Sequence, residues 1–181
     1  APELKQIARL AAQAIEEESR SAEASAPVDR QALDSALVRM ALEVGDDMEG
    51  GFGRQSRFPM APQWSVLLQR LQRSSDPRLL ELTRLSLDQM AGQGLRDHLG
   101  GGFFRYTVDP SWQVPHYEKM LYTQALLTRL YLQAAKVLQR PDYRQVARDT
   151  LDFTLRVMPG EGGGFIASLS AVDPYDVEGG G

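Results

Sequence analysis

The chain has 181 residues, 20 basic against 24 acidic side chains, a net charge of −4 and an apolar fraction of 43%. Its three lysines, Lys5, Lys119 and Lys136, and arginines interspersed with acids leave no clustered basic face for a nucleic-acid backbone, and the apolar fraction excludes wholesale disorder. The lack of cysteine excludes disulfides, thiolate metal sites and a cysteine nucleophile, and no apolar run reaches the roughly 18 residues that span a bilayer, so a cytoplasmic protein is expected by default.

In chain order, Ile7, Leu10, Ala11 and Ala14 stand at helical spacing before Ser21 to Pro27 breaks the segment. Asp29 is placed to cap a second helix whose apolar stripe, Leu33, Leu37, Met40 and Val44, stops at Gly45. Pro62 suits the first turn of a third helix carrying Trp64, Leu67, Leu68 and Leu71. Asp76-Pro77 then marks a capped restart through Leu79, Leu82, Leu85 and Met90. The alternation over 102–108 predicts a short strand or hairpin arm. A long inner helix, apolar nearly all round, is predicted from His116 to Leu138. Pro141-Asp142 restarts a helix with Val146, Thr150, Phe153 and Val157 on one stripe.

Glycines cluster between these blocks, and each cluster contains the same triplet: Gly50-Gly51-Phe52, Gly101-Gly102-Phe103 and Gly163-Gly164-Phe165. Two helices per interval make a helical-hairpin repeat, longer than the roughly 34–47 residues of common solenoid units. The predicted fold is therefore all-α: a partial α/α toroid of about three hairpins, joined by Gly-Gly-Phe loops that face a central cavity, with a short β arm. Residues 1–181 read as a single domain. The missing initiator Met and the Gly179-Gly180-Gly181 end read as an excised piece. Inner-helix faces left open in such a half-ring predict a homo-oligomer.

Both histidines fall in one region, and His116 at a helix start reads either as a general base, with His98 as partner acid or orienting group, or as a cap in a structural network. Glu118 points to the same loop end and is a third candidate catalytic residue. Its neighbour Lys119 diverges from it on a helix, so one of the two is structural. Arg105, Tyr106, Asp109 and Trp112 suit a sugar pocket, with Trp112 and Tyr106 as stacking walls, and equally suit pinning the arm to the ring. Asp173, Asp176 and Glu178, and likewise Asp46, Asp47 and Glu49, read as solvated acidic loops in preference to calcium sites. Arg54 and Arg57 suit a carboxylate or phosphate, but as exposed loop arginines they are weak evidence for such a site. No metal or cofactor is predicted.

Three segments carry a resemblance: Gly50-Gly51-Phe52-Gly53 through Arg57-Phe58-Pro59, Asp97 through Asp109, and Trp112-Gln113-Val114-Pro115-His116-Tyr117-Glu118-Lys119-Met120-Leu121-Tyr122. They resemble the DUF255 family of thioredoxin-domain-containing proteins. That resemblance implies a thioredoxin-like domain outside this stretch and a toroid similar to N-acylglucosamine 2-epimerase and the six-hairpin glycosidases, of which this chain is the first half. Where many members have histidine and aspartate, this chain has Phe104 and Thr123. The functional expectation is carbohydrate binding or epimerase-like processing, with a small sugar as ligand and neither nucleic acid nor membrane as partner. The rival expectation is a silent scaffold for the thioredoxin-like domain and client proteins.

Overall fold

The computed structural model describes residues 29–171, with Gln6, Arg9, Ala12 and Gln13 before them. Ile7, Leu10, Ala11 and Ala14 of the expected first helix, and the acidic Asp173, Asp176 and Glu178, lie outside the described residues. The chain divides into two compact units, residues 1–36 and 37–181. Asp29 Oδ1 accepts hydrogen bonds from the N–H groups of Gln31 (2.9 Å) and Ala32 (3.2 Å), capping α1, Arg30–Val44, as its sequence position predicts; the residues of this helix from Leu37 on belong to the second unit.

The second unit holds α2 (Ala61–Arg73), α3 (Pro77–Gly92), α4 (Leu121–Val137) and α5 (Pro141–Val157). Pro62 lies in the first turn of α2, and Asp76 caps α3 by accepting from the Leu79 N–H at 3.1 Å. Helix α4 packs against α5 and α2, and α2 against α3. Trp64, Leu68, Leu79, Leu87, Met90, Leu127 and Leu130 are wholly buried between them. Each such side chain contributes about 1.5–3 kcal/mol of burial. Tyr131 joins this core because its hydroxyl donates to the Leu87 carbonyl at 2.8 Å while its ring stacks on Phe103.

The stripe on α1 has a different fate. Leu37, Met40 and Val44 are exposed, and only Ala41 of this helix is buried. With Met60 and Val66 they line an open groove of about 460 Å3. Helical periodicity identifies an apolar face, but it says nothing about what covers that face.

The first two Gly-Gly-Phe loops are copies of one device. In each, an aspartate six residues before the phenylalanine folds the loop over its own carboxylate. Asp46 Oδ1 accepts from Met48 and Glu49 N–H, both at 2.9 Å, and Asp97 Oδ1 from Leu99 and Gly100 N–H at 2.9 and 2.8 Å. The other carboxylate oxygen meets a buried cation. Asp46 pairs with Arg57, and Asp97 with Lys119 at 2.6 Å. Isolated bridges Gly45↔Phe52 and Arg96↔Phe103 close the two loops. The third loop, closed by Pro159↔Phe165, has Pro159 at the aspartate's place and lacks the device. Arg57 is thus fully buried, donating also to the Gly53 and Pro110 carbonyls, and is not the exposed loop arginine expected. Asp46 is not simply solvated either.

The arm is real but differently built. Strand β1, Tyr106–Thr107, pairs antiparallel with β2, Pro115–His116, placing Tyr106 opposite His116. Strand β3, Lys119–Met120, pairs antiparallel with β4, Ser168–Leu169. Helix α4 therefore begins at Leu121, and His116 is a strand residue five positions earlier, not the first residue of a helix. Pro115 favours extended backbone, and the pairing with 106–107 satisfies its neighbours' polar groups in a way that no local signal announces. The small sheets leave the second unit a helical-hairpin fold with a β arm.

Candidate functional site

The site is built on the arm and on the segment that follows the first glycine loop. Arg57 and Thr107 exchange backbone hydrogen bonds in both directions at 2.9 Å, so Phe58 emerges directly beside β1. Its ring stacks on Tyr106 (centroids 4.6 Å, planes 13° apart), and Tyr106 stacks in turn on His116 (4.9 Å, 12°). The three rings form one column with Tyr106 in the middle. Both faces of Tyr106 are therefore taken, and it cannot be the stacking wall that the sequence assigns to it. Trp112 cannot be one either. It is wholly buried, its φ is +62°, its indole N–H donates to the Glu49 carbonyl at 2.9 Å, and it packs over Gly51, where an added Cβ would meet its ring at 2.7 Å. Tyr106 ties the arm to the segment after the first glycine loop, and Trp112 ties it to that loop.

Asp109 is a pin of another kind. Its carboxylate accepts from the N–H groups of Val114 (2.6 Å) and Gln113 (3.0 Å) and from the Ser111 hydroxyl (2.8 Å), holding the turn between β1 and β2. Burial pushes its carboxyl upward, but these donors outweigh that and hold it below the usual carboxylate range. Asp109 therefore shapes the arm.

Glu118 accepts from Arg105 Nη1 at 2.8 Å. The pair is partly open to solvent, and the neighbouring carboxylate, helped by Tyr122, raises the guanidinium above its ordinary value. Among the described residues, His116 Nδ1 and Arg105 Nε are buried without a hydrogen-bond partner. Buried polar atoms are nearly always paired in a finished structure, so the orphans on β2 and just before β1 stand out here, as does Trp64 Nε1 in the helical core. His98, by contrast, is exposed in the Asp97 turn with Nε2 3.2 Å from the Gln93 carbonyl, and it makes neither a hydrogen bond nor a ring contact with His116. The expected histidine pair is not assembled here.

Lys119 is the structural member of the Glu118–Lys119 pair. Its ammonium donates to Asp97 Oδ2 (2.6 Å) and the Gly101 carbonyl (2.7 Å) and lies over the rings of Phe104 and Phe153. Phe58 is the residue that sequence reasoning missed. A lone phenylalanine before proline carries no spacing signal, and only the cross-strand register of Arg57 with Thr107 reveals its place. No group of His, Asp or Glu suited to a metal is present among the described residues, and no helix among them is long and apolar enough to cross a membrane.

No family model matches the chain. It is 32% identical over 152 residues to spermatogenesis-associated protein 20 of Mus musculus, covering 82% of this chain and 19% of that protein. It is 36% identical over 138 residues to the Homo sapiens protein of the same name, covering 74% and 18%. The chain thus spans about a fifth of the length of these curated relatives. Among solved structures it is similar in fold to cellobiose 2-epimerase from Spirochaeta thermophila (TM-score 0.66, 17% identity, 78% of this chain and 40% of that one). It is likewise similar to a sugar epimerase from a ruminal bacterium (TM-score 0.63, 13% identity, 75% and 37%). At these identities the likeness concerns fold alone, and it places the hairpins of the second unit in the α/α toroid class. The chain belongs to the DUF255 family of spermatogenesis-associated protein 20, over a stretch that carries part of an epimerase-like toroid.

Proposed function

We propose that this chain supplies part of a carbohydrate-handling site, centred on His116 and the Arg105–Glu118 pair. The observation that carries the proposal is the buried, unpartnered Nδ1 of His116, at one end of an aromatic column and on the same arm as an ion pair open to solvent. A ligand rich in hydroxyls supplies donors and acceptors together, which is what an imidazole nitrogen, a guanidinium and a carboxylate jointly require. In this reading Arg105 and Glu118 hold ring hydroxyls and His116 takes up and returns a proton. Epimerisation needs a second proton-transfer group on the opposite face of the carbon. His98 does not meet His116, so this stretch provides one side of such a pair. The fold shared with sugar epimerases supports the reading by analogy only.

The test is a thermal-shift screen of neutral sugars, amino sugars and sugar phosphates against the longest protein that contains this chain, repeated with His116→Ala. The expected result is a ligand that raises the melting temperature of the parent and not of the variant, with the variant's own melting temperature unchanged. A second reading, a scaffold for a protein partner, is favoured by the exposed Leu99, Val108, Val114 and Tyr117 on the loops and the arm. It takes over if no sugar shifts the parent and His116→Ala simply destabilises.

A further inference from the structure

We infer that Phe165 and Ile166 form the seat of a further helix, supplied by the same polypeptide in the longest protein that contains this chain, and that this helix lays an aromatic side chain against Phe165. The inference stands apart from the carbohydrate reading and rests on the repeat of the glycine loops. In each of the three, the residue after the phenylalanine donates its N–H back across the loop: Gly53 to the Val44 carbonyl (3.2 Å), Phe104 to Leu95 (2.9 Å) and Ile166 to Met158 (2.9 Å). A second bond holds the residue before the phenylalanine. It runs from the Asp46 N–H to the Gly51 carbonyl (3.1 Å), from Asp97 to Gly102 (3.0 Å) and from Gly160 to Gly164 (2.8 Å). The third loop thus keeps the backbone closure of the other two, although it lacks their aspartate and buried cation, and it sets Phe165 at the same point of the loop.

In the first two loops the phenylalanine has one kind of partner. Phe52 stacks on Trp64 (centroids 4.3 Å, planes 13° apart) and Phe103 on Tyr131 (5.7 Å, 10°). Trp64 belongs to α2 and Tyr131 to α4, in each case the helix that opens the hairpin after the loop. Phe103 is wholly buried by this arrangement, whereas Phe165 is 49% exposed and Ile166 36%. A hairpin repeat does not bury its own apolar edge, and the next hairpin covers it. A loop that sets its phenylalanine as the other two do, and leaves it open, calls for a helix of the kind that covers the other two. The neighbouring surface suits one. Strand β4 pairs with β3 at the foot of α4, and α4, which packs on α2, exposes Tyr122, Ala125 and Leu132 on one stripe. The matched stretch is 19% of the Mus musculus relative and 40% of the cellobiose 2-epimerase, so both have further chain from which such a helix can come.

The experiment replaces Phe165 by the photoreactive p-benzoylphenylalanine in the longest protein that contains this chain and maps the cross-linked peptides by mass spectrometry. A mixture of light and heavy isotope-labelled protein separates links within a molecule from links between molecules. The expected result is a link within one molecule to a segment outside residues 1–181 that has helical apolar spacing and an aromatic residue within one turn of the link. Phe165→Ala gives a second readout. It is expected to lower the melting temperature of the longest protein, with Phe165→Tyr close to the parent, and to leave that of the 181-residue chain unchanged. A link to a second copy, to another protein or to residues 1–181 overturns the inference, as does no link at all. So does a Phe165→Ala variant that melts early as the 181-residue chain, or melts like the parent in the longest protein.

Discussion

Removing the Asp97 carboxylate tests whether the glycine loops are held by buried ion pairs. The Lys119 ammonium is almost wholly buried, and Asp97 Oδ2 at 2.6 Å is its one anionic partner among the described residues. Asp97→Ala leaves that charge with the Gly101 carbonyl and two aromatic rings, and stranding a buried charge costs about 3–5 kcal/mol. The turn bonds from Leu99 and Gly100 N–H are lost as well, at about 1 kcal/mol each, although water replaces them where the turn is exposed. A loss of about 4 kcal/mol in urea unfolding is expected. The double variant Asp97→Ala/Lys119→Met is expected to recover most of it, because Phe104 and Phe153 offer an apolar cradle to the methionine. Burial alone raises the Asp97 carboxyl, but Lys119 and the N–H groups of Gly100 and Leu99 outweigh it and hold the carboxyl below its ordinary value. A depressed carboxylate stabilises the fold above its unfolded value of about 3.9, and that contribution is lost as pH falls through the folded value. The parent should therefore lose stability below about pH 4 more steeply than the double variant. A loss under 1 kcal/mol in Asp97→Ala, or a double variant no better than the single, refutes the reasoning.

Arg57→Met leaves Asp46 without its cation and opens the anchor of Phe58; a loss of about 3–5 kcal/mol is expected by chemical denaturation. Gly102→Ala sets a Cβ 2.4 Å from Phe153 Cδ1 on a backbone with φ +76°, and costs about 2–4 kcal/mol. Gly53→Ala, at φ +84° with nothing within 4 Å, costs only the conformational strain of about 1–2 kcal/mol. Thermal unfolding of the two side by side separates packing from backbone. The exposed stripe of Leu37, Met40 and Val44 predicts concentration-dependent self-association in sedimentation, reversed by Met40→Glu. A monomer at all concentrations refutes that expectation.

What was legible in the sequence was local. Asp29 and Asp76 as caps, Pro62 in a first turn, and the core stripe of Leu79, Leu82 and Met90 follow from residues within one or two helical turns of each other. The Gly-Gly-Phe triplets marked the loops because positive φ at Gly50, Gly51, Gly101 and Gly102 requires glycine. The misplaced residues depend on partners further off. His116 is set by its pairing with Tyr106, Trp112 by Glu49 and Gly51, and Arg57 by Asp46 and Pro110. A composition of histidines, tryptophan and arginines around residues 98–118 located the region of interest. It did not say which of them face a ligand, because that depends on which faces the neighbouring rings already occupy.

The most direct test of the saccharide site is a proton NMR titration of the two histidine ring signals with D-mannose, N-acetyl-D-glucosamine, cellobiose and D-glucose 6-phosphate. The protein contains only His98 and His116, and His98→Gln assigns them. The account predicts that the His116 signal moves saturably with at least one sugar while His98 stays still. Two unmoving signals, or equal movement of both, contradict it.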